Sequence, residues 1–488
     1  MNEFLIANMA PIMFGALVVF MLVGFPVAFA LAANGIFFGL LGIHLGLLNE
    51  SLFMALPERV FGIMNNDTLL AVPFFTFMGL VLERSGLAEE LLDTIGQLFG
   101  PIRGGLAYAV IFVGALLAAT TGVVAASVIS MGLISLPIMM RYGYDRKIAS
   151  GVIAASGTLA QIIPPSLVLI IMADQLGRSV GDMYEGALLP GLVLTSLYVG
   201  FIFLVSIIRP AAMPALPLEA RSLRGMKLLT RTLTSLLPPL LLIFLVLGTI
   251  FIGVATPTEG GAMGATGALA LALAKKRLSW KLLKQAMDST AKLTTFVVFI
   301  LIGARVFSLT FYGVDGHVWV EHLLTALPGG EVGFLIVVNI LIFFLAFFLD
   351  FFELAFIIVP LLAPVADKLG IDLVWFGVLL AVNMQTSFMH PPFGFALFYL
   401  RSVAPKEVKT SEIYWGAIPF VIIQLIMVSL IIAFPNIVSY GDSGHGDTQK
   451  PEIELNLDQI REGGASGPAA SDAAGGEDDL ARSLRGDK

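Results

Sequence analysis

The chain has 488 residues, 57% of them hydrophobic and only 13% charged, with a mean hydropathy of +0.92, a composition that excludes an ordinary soluble enzyme and places the chain among polytopic membrane proteins. The formal charge of −7 sits mostly in residues 441–488, which hold eleven acidic and five basic side chains. Cysteine is absent and no Gly-Lys dipeptide occurs, which excludes disulfides, thiolate nucleophiles, cysteine-bound metals and a P-loop.

Glu3 precedes the first apolar run with no basic residue beside it, unlike a cleaved signal peptide. Residues 4–47 are about twice the length of one span and carry Gly24 and Pro26 near their middle, so they read as two helices. A third span is expected at about 64–83, followed by LAEELLDTIGQLFG, whose apolar spacing fits an amphipathic helix lying along the interface. Residues 104–140 are too long for one crossing, contain AATTGVVAAS, and are flanked by Arg103 on one side and Arg141, Arg146 and Lys147 on the other. They read as a re-entrant hairpin turning at Thr120-Thr121-Gly122. Residues 148–173 could cross as a helix, but a small polar run and then Pro164-Pro165 interrupt them. Proline lacks the N–H and clashes with the preceding turn, so this is a broken helix whose carbonyls from Ser156 to Ile162 lose intrahelical partners. A span at about 186–208 follows.

The second half repeats the first. Pro137, Gly143, Asp145, Pro164 and Pro165 recur as Pro364, Gly370, Asp372, Pro391 and Pro392 at an offset of 227 residues, and Pro26 recurs as Pro257 at an offset of 231. The repeats span 1–208 and 234–438, joined by a basic linker at 209–233 that carries Arg209, Arg221, Arg224, Lys227 and Arg231. The second has spans at about 234–253, 258–274 and 291–312, a hairpin at about 332–366, a broken helix at about 374–400 and a span at about 415–435. Residues 439–488 form an acidic tail expected to be disordered. With the linker placed in the cytoplasm, five crossings per repeat put nearly all basic loops on the same side, invert the second repeat, and leave both termini outside. The expected fold is an all-α polytopic membrane protein of two inverted-topology repeats, each about five spans plus one re-entrant helical hairpin with a broken helix.

The chemistry implied is coordination rather than bond making. Thr120, Thr121, Gly122 and Ser127 of the first hairpin face Ser156, Gly157, Thr158 and the freed carbonyls before Pro164. Uncharged hydroxyl and carbonyl oxygens in a dry pocket suit a hard monovalent cation such as sodium, while close helix packing also favours small residues. In the second repeat Asn383, Gln385, Thr386, Ser387 and His390 precede the proline pair, and Asp350 and Glu353 sit near the hairpin tip. Ionisable groups at membrane depth cost roughly 2.5 kcal/mol or more, so each is a functional candidate. Asp350 reads as an ion ligand or hairpin latch, and His390 as a core histidine or a proton-linked group. Arg305 either faces an anionic substrate or snorkels to the interface. In Thr256-Pro257-Thr258-Glu259 the glutamate could pair with the other repeat, or simply open a helix, and Gly260, Gly261, Gly264 and Gly267 read as packing. Thr158, Glu353, Arg305 and His390 are the candidate substrate contacts. An intramembrane enzyme would need a nucleophile with its base or a metal cluster, and no HExxH spacing is present.

ATPTEGGAMGA, GTLAQIIPPS and LDFFELAFIIVPLLAP resemble the large membrane subunit of tripartite ATP-independent periplasmic transporters, over residues 1–438. The resemblance implies a sodium-driven elevator importer of organic acids in the bacterial inner membrane. It implies two partners, a small four-helix membrane subunit and a soluble periplasmic substrate-binding protein, with sodium as coupling ion, no other cofactor and no nucleic acid. It places Thr121, Val123, Ala160, Ile163 and Pro165 at one sodium site and Asn383 and Thr386 at the other, partly through backbone oxygens. Ala160 stands where that family usually has glycine, and Ser387-Phe388-Met389-His390 replaces its plainer approach to the second proline pair. The other reading kept is a stand-alone ion- or proton-coupled carboxylate or anion carrier.

Overall fold

The computed structural model describes residues 2–121, 124–221 and 223–438, without the side chains of Thr120 and Thr121. The expectations placed on those two hydroxyls, on Gly122 and Val123, and on the tail at 439–488 therefore fall outside the described residues.

Every regular element among the described residues is helical. Helix α1 (Met9–Val23) stops at Gly24, whose φ of +91° a side chain would disfavour, and Pro26 precedes α2 (Val27–His44). A short α3 (Leu56–Met64) bends by 46° into α4 (Asp67–Arg84). At that bend the Asn66 side chain caps α4 by accepting the N–H groups of Thr68 and Leu69. The amphipathic α5 (Leu87–Phe99) buries Leu87, Leu91, Leu92 and Ile95. The first hairpin is α6 (Gly105–Thr121) and α7 (Val124–Arg141). The broken helix is α8 (Arg146–Thr158), a 3-10 turn at Leu159–Gln161, and α9 (Leu167–Leu176), and α10 (Val180–Ile208) ends the repeat.

The second repeat follows the same order. It runs α11 (Gly225–Phe251), α12 (Pro257–Ala274), α13 (Trp280–Gly313), α14 (Gly316–Thr325) and α15 (Gly330–Leu345). Then come a π turn at Leu354–Ile358, α16 (Val359–Lys368), α17 (Leu373–Met384), a 3-10 turn at Gln385–Phe388, α18 (Phe395–Val403) and α19 (Thr410–Ala433). Helices α8 and α17 begin at Arg146 and Leu373, and α7 and α16 end at Arg141 and Lys368, each pair 227 residues apart. Both proline pairs, Pro164-Pro165 and Pro391-Pro392, contain cis peptide bonds. Six of the described helices are long and apolar enough to cross a membrane, and up to eight spans result if each bent pair counts as one.

Three boundaries differ from expectation. Helix α11 begins at Gly225, so the second half of the basic linker is helical and Lys227 and Arg231 lie on that helix. Helix α13 begins at Trp280 because Ser279 caps it by accepting the Leu282 N–H, adding polar turns ahead of the apolar span. Ahead of the second hairpin stands α14, which the apolar pattern did not separate and which meets α15 at 116°.

Packing relies on glycine where backbones cross. A Cβ on Gly151 would lie 2.1 Å from the Gly416 carbonyl oxygen, and one on Gly416 would lie 2.1 Å from the Lys147 oxygen, so α8 and α19 touch backbone to backbone. Gly261 and Gly264 of α12 lie against Phe74 and Met78 of α4, the packing role read for them. Thr256 and Glu259 form a reciprocal capping box at the start of α12, which accounts for that glutamate as a helix opener.

Candidate functional site

Each hairpin packs onto the broken helix of its own repeat. A Cβ on Gly114 of α6 would lie 2.6 Å from the Ser156 Cβ, and one on Gly157 would lie 2.3 Å from Val128 Cγ2 of α7. The end of α8 is therefore wedged between the two arms of the first hairpin. Ser127, Ser156, Thr158, Ala160 and Gln161 are buried there, with Ile163 at 7% exposure.

The break is less open than proline chemistry alone implies. The Ser156 oxygen accepts the Leu159 N–H, and the Leu159 oxygen accepts those of Ile162 and Ile163. Ser166 caps α9 and its hydroxyl donates to the Gln161 oxygen at 2.5 Å. The 3-10 turn and this cap re-pair carbonyls that were expected to be free. What is left unpaired in side chains is specific: buried Ser156 Oγ and Gln161 Oε1 have no hydrogen-bond partner among the described residues. Burying such groups without a partner costs about 1–3 kcal/mol each.

The second break repeats the pattern. The Thr386 oxygen accepts the N–H groups of Met389 and His390, as Leu159 does for Ile162 and Ile163. Asn383 Nδ2 donates to the backbone oxygen of Asn339 at 2.8 Å and to its side-chain oxygen at 2.9 Å, and Thr386 Oγ1 donates to the Asn383 oxygen at 2.7 Å. Asn383 Oδ1, Gln385 Oε1 and Ser387 Oγ are buried without partners among the described residues. Asn339, on α15 of the second hairpin, escaped sequence reasoning. Its signal was a lone amide in an otherwise apolar helix.

The two breaks meet. Gln385 Nε2 donates to Thr158 Oγ1 at 3.1 Å, joining the residues on either side of the repeat axis. The structure thus gathers Ser156, Gly157, Thr158 and Ala160 with Ser127 and the first hairpin, and Asn383, Thr386 and Ser387 with the second.

The remaining candidates make other contacts. Asp350 and Glu353 form a reciprocal capping box: the Asp350 carboxylate accepts the Glu353 N–H at 2.9 Å, and the Asp350 N–H donates to Glu353 Oε2 at 2.9 Å. Asp350 thereby fastens the start of the helix that forms the second arm of its hairpin. The His390 ring stacks on Phe347 at 4.2 Å and meets Phe343 edge-on at 4.4 Å, so it ties the second break to α15 and the residues after it. Arg305 lines two neighbouring cavities of about 260 and 280 Å³, both shared with Arg59. Asp174 of α9 opens onto the first, and Gln175 of α9 and Pro360 of α16 onto the second. Arg59 lies in α3, a helix the apolar pattern missed.

The donor set at both breaks is uncharged oxygen, the chemistry that hard cations take. Among the described residues no group of three His, Cys, Asp or Glu side chains could hold a metal ion.

Residues 14–437 match the family described as "Tripartite ATP-independent periplasmic transporter, DctM component". The chain is 30% identical over 382 residues to the C4-dicarboxylate TRAP transporter large permease protein DctM of Pseudomonas aeruginosa, covering 78% of this chain and 87% of that one. It is 29% identical to the protein of that name from Rhodobacter capsulatus, over 88% of this chain and 97% of the relative. It is also 27% identical to the sialic acid TRAP transporter large permease protein SiaM of Vibrio cholerae, over 84% and 93%. The fold is shared with the crystal structure of the Alcanivorax borkumensis YdaH transporter, at a TM-score of 0.56 and 18% identity over 80% of this chain and 89% of that one. The paired hairpins and broken helices therefore belong to a membrane permease rather than an enzyme, and the chain is a member of the DctM family of tripartite ATP-independent periplasmic transporters.

Proposed function

We propose that the chain is the sodium-coupled importing subunit for small organic acids, moving substrate across the inner membrane by an elevator motion of the hairpins and broken helices. The observation that carries this reading is the junction of the two breaks at Thr158 and Gln385, flanked on each side by buried oxygens that have no partner among the described residues. Opposed half-helices with unpaired oxygens at mid-depth are how secondary transporters hold coupling ions and substrate.

In this reading one sodium lies between the first hairpin and first break, with Thr120, Thr121, Gly122, Val123, Ser127, Ser156, Gly157, Ala160, Ile163 and Pro165 around it. The other lies by Asn383, Thr386 and Ser387, with Asp350 acting through the hairpin. Thr158, His390 and Glu353 border the substrate, and Arg305 with Arg59 draws a carboxylate toward the cleft beside α9. A periplasmic binding protein delivers the acid, a small four-helix membrane subunit steadies the scaffold, and both termini are periplasmic. Two relatives named for C4-dicarboxylates support the carboxylate class.

Uptake into proteoliposomes containing this chain and a candidate small subunit tests the proposal, with and without an inward sodium gradient and a binding protein. The expected result is uptake that needs both. Uptake on sodium alone would point to a stand-alone carrier, and uptake indifferent to sodium would overturn the coupling assignment.

A further inference from the structure

Away from the breaks, α8, α10 and α19 enclose a groove of about 430 Å³, a volume within the ~300–1,000 Å³ typical of small-ligand sites. Its walls are apolar. Leu204 and Ile208 of α10 are exposed along it, and at its floor Phe201 packs edge-on against buried Phe420 of α19 at 5.2 Å. Its mouth is different. Lys147 and Arg209 both open onto it and are exposed, and neither forms an ion pair among the described residues. The one acidic side chain at the mouth, Asp145, is turned into its own helix, accepting the N–H groups of Lys147 at 2.9 Å and Ile148 at 3.2 Å. Nearby Arg146 and Glu412 are paired with each other at 3.8 Å. Trp415 stands at the rim, 63% exposed, as tryptophan does where hydrocarbon meets headgroups.

The basic mouth is not demanded by the fold. At the equivalent positions of the second repeat, 227 residues on, Lys147 becomes Val374 and Arg209 becomes Asn436. An apolar slot with two unpaired cations and an interfacial tryptophan at one end has the polarity of a single amphiphile, with acyl chain inside and phosphate at the mouth.

We propose that this groove is a binding site for one anionic membrane phospholipid, its acyl chain lying along Leu204, Ile208 and Phe201 and its phosphate held by Lys147 and Arg209. The lipid bridges α8 and α10 at their polar ends, beside the close crossing of Gly151 and Gly416. Each basic side chain near a membrane surface is worth about fivefold in affinity, so the pair gives a preference of about 25-fold for anionic over zwitterionic lipid.

The test uses the full-length protein with Trp280, Trp319 and Trp375 replaced by phenylalanine, leaving Trp415 as the reporter, in nanodiscs doped with dibrominated lipid. Dibromo-phosphatidylglycerol is expected to quench Trp415 at far lower mole fraction than dibromo-phosphatidylcholine, and the Lys147→Gln/Arg209→Gln variant should erase the difference. Equal quenching by the two lipids, no quenching by either, or a preference that survives in the double variant would each overturn the proposal. Equal quenching by the two lipids together with a change in Trp415 emission on adding inorganic phosphate alone would overturn the lipid as occupant and assign the mouth to free phosphate. If the double variant does not fold, the comparison of the two lipids in the reporter protein still decides.

Discussion

Thr158 and Gln385 occupy the same position in the two repeats, 227 residues apart, and they are hydrogen-bonded to each other at 3.1 Å. A contact between equivalent residues marks the axis relating the repeats, so this bond holds the two breaks in register. Thr158 also donates to the Ala155 oxygen at 2.8 Å, so Gln385→Leu leaves that hydroxyl satisfied and should cost only about 0.5–1.5 kcal/mol of stability. Uptake should fall far more, because both candidate ion sites lose their common strut. Thr158→Val should lower uptake likewise, at a larger stability cost of about 1–3 kcal/mol because the buried Gln385 amide loses its acceptor. The double variant should be no worse than either single one, as expected for groups acting as a unit. Independent, additive losses in transport assays would show that the bond does not couple the sites.

Asp350 separates two roles that one residue can combine. Asparagine caps a helix about as well as aspartate, whereas alanine loses about 0.5–2 kcal/mol. Asp350→Asn should therefore keep the thermal midpoint and raise the sodium concentration needed for half-maximal uptake, and Asp350→Ala should lower the midpoint as well. An unaltered sodium response in the asparagine variant would confine Asp350 to holding the hairpin.

The repeat, both hairpins and both breaks were legible because proline and glycine act locally: Pro164-Pro165 and Pro391-Pro392 interrupt apolar runs wherever the rest of the chain goes. The re-pairing inside the breaks was not legible. That the Ser166 hydroxyl would donate to the Gln161 oxygen, and that Ile162 and Ile163 would share the Leu159 oxygen, depends on the 3-10 turn that forms after the helix stops. Asn339 and Arg59 were missed for a related reason, since a single polar residue acquires its meaning from what lies across from it. Asp350 can be flagged from its depth, but nothing in the sequence ties it to its capping partner Glu353, which reads there as a separate substrate contact. The first turns of α11, with Lys227 and Arg231, read as linker in the sequence because their charge hides a helix start at Gly225 that apolar periodicity does not mark.

Glu90 should make stability depend on acidity. Its carboxylate accepts from Lys275 Nζ and from Ser235 Oγ, both at 2.8 Å, with Arg277 at 3.7 Å. Partial burial works against its charge, but the hydrogen bonds from Lys275 and Ser235 and the charges of Lys275 and Arg277 outweigh it and hold the carboxyl below the ordinary 4.5. A depressed native value stabilises fully above the unfolded value and is lost as pH falls through the native one. Thermal midpoints should thus drop on acidification below about 4.5 in the parent protein, and Glu90→Gln should lower the neutral-pH midpoint and flatten that drop. A variant that keeps the parent's acid slope would assign the slope to other groups.

The crossing of α8 and α19 leaves no room for a side chain. Gly416→Ala would place a methyl group 2.1 Å from the Lys147 oxygen, a backbone atom that cannot swing aside. Overpacking of this kind costs about 1–3 kcal/mol or more, so the variant should unfold at lower temperature in detergent. Ala417→Gly next to it should cost less, about 1 kcal/mol from lost helix propensity, because it adds no clash. A normal midpoint for Gly416→Ala would mean that the helices part more easily than their contact indicates.

Asn66 and Asp174 test the elevator motion itself. Asn66 caps α4 through its side-chain oxygen while its Nδ2 donates to Asp174 Oδ1 at 2.5 Å, and Asp174 also accepts from Gln175 at 2.7 Å. In the proposed mechanism α4 belongs to the scaffold and α9 to the moving part, so this bond lies across the sliding boundary and must break in every cycle. The chain has no native cysteine, which makes a cross-link here unambiguous. Asn66→Cys combined with Asp174→Cys should lose uptake on oxidation and regain it with reductant, while either single substitution should respond to neither treatment. If uptake continued in fully cross-linked protein, α9 would not move against α4, and transport would have to proceed by gating of the hairpins around stationary breaks.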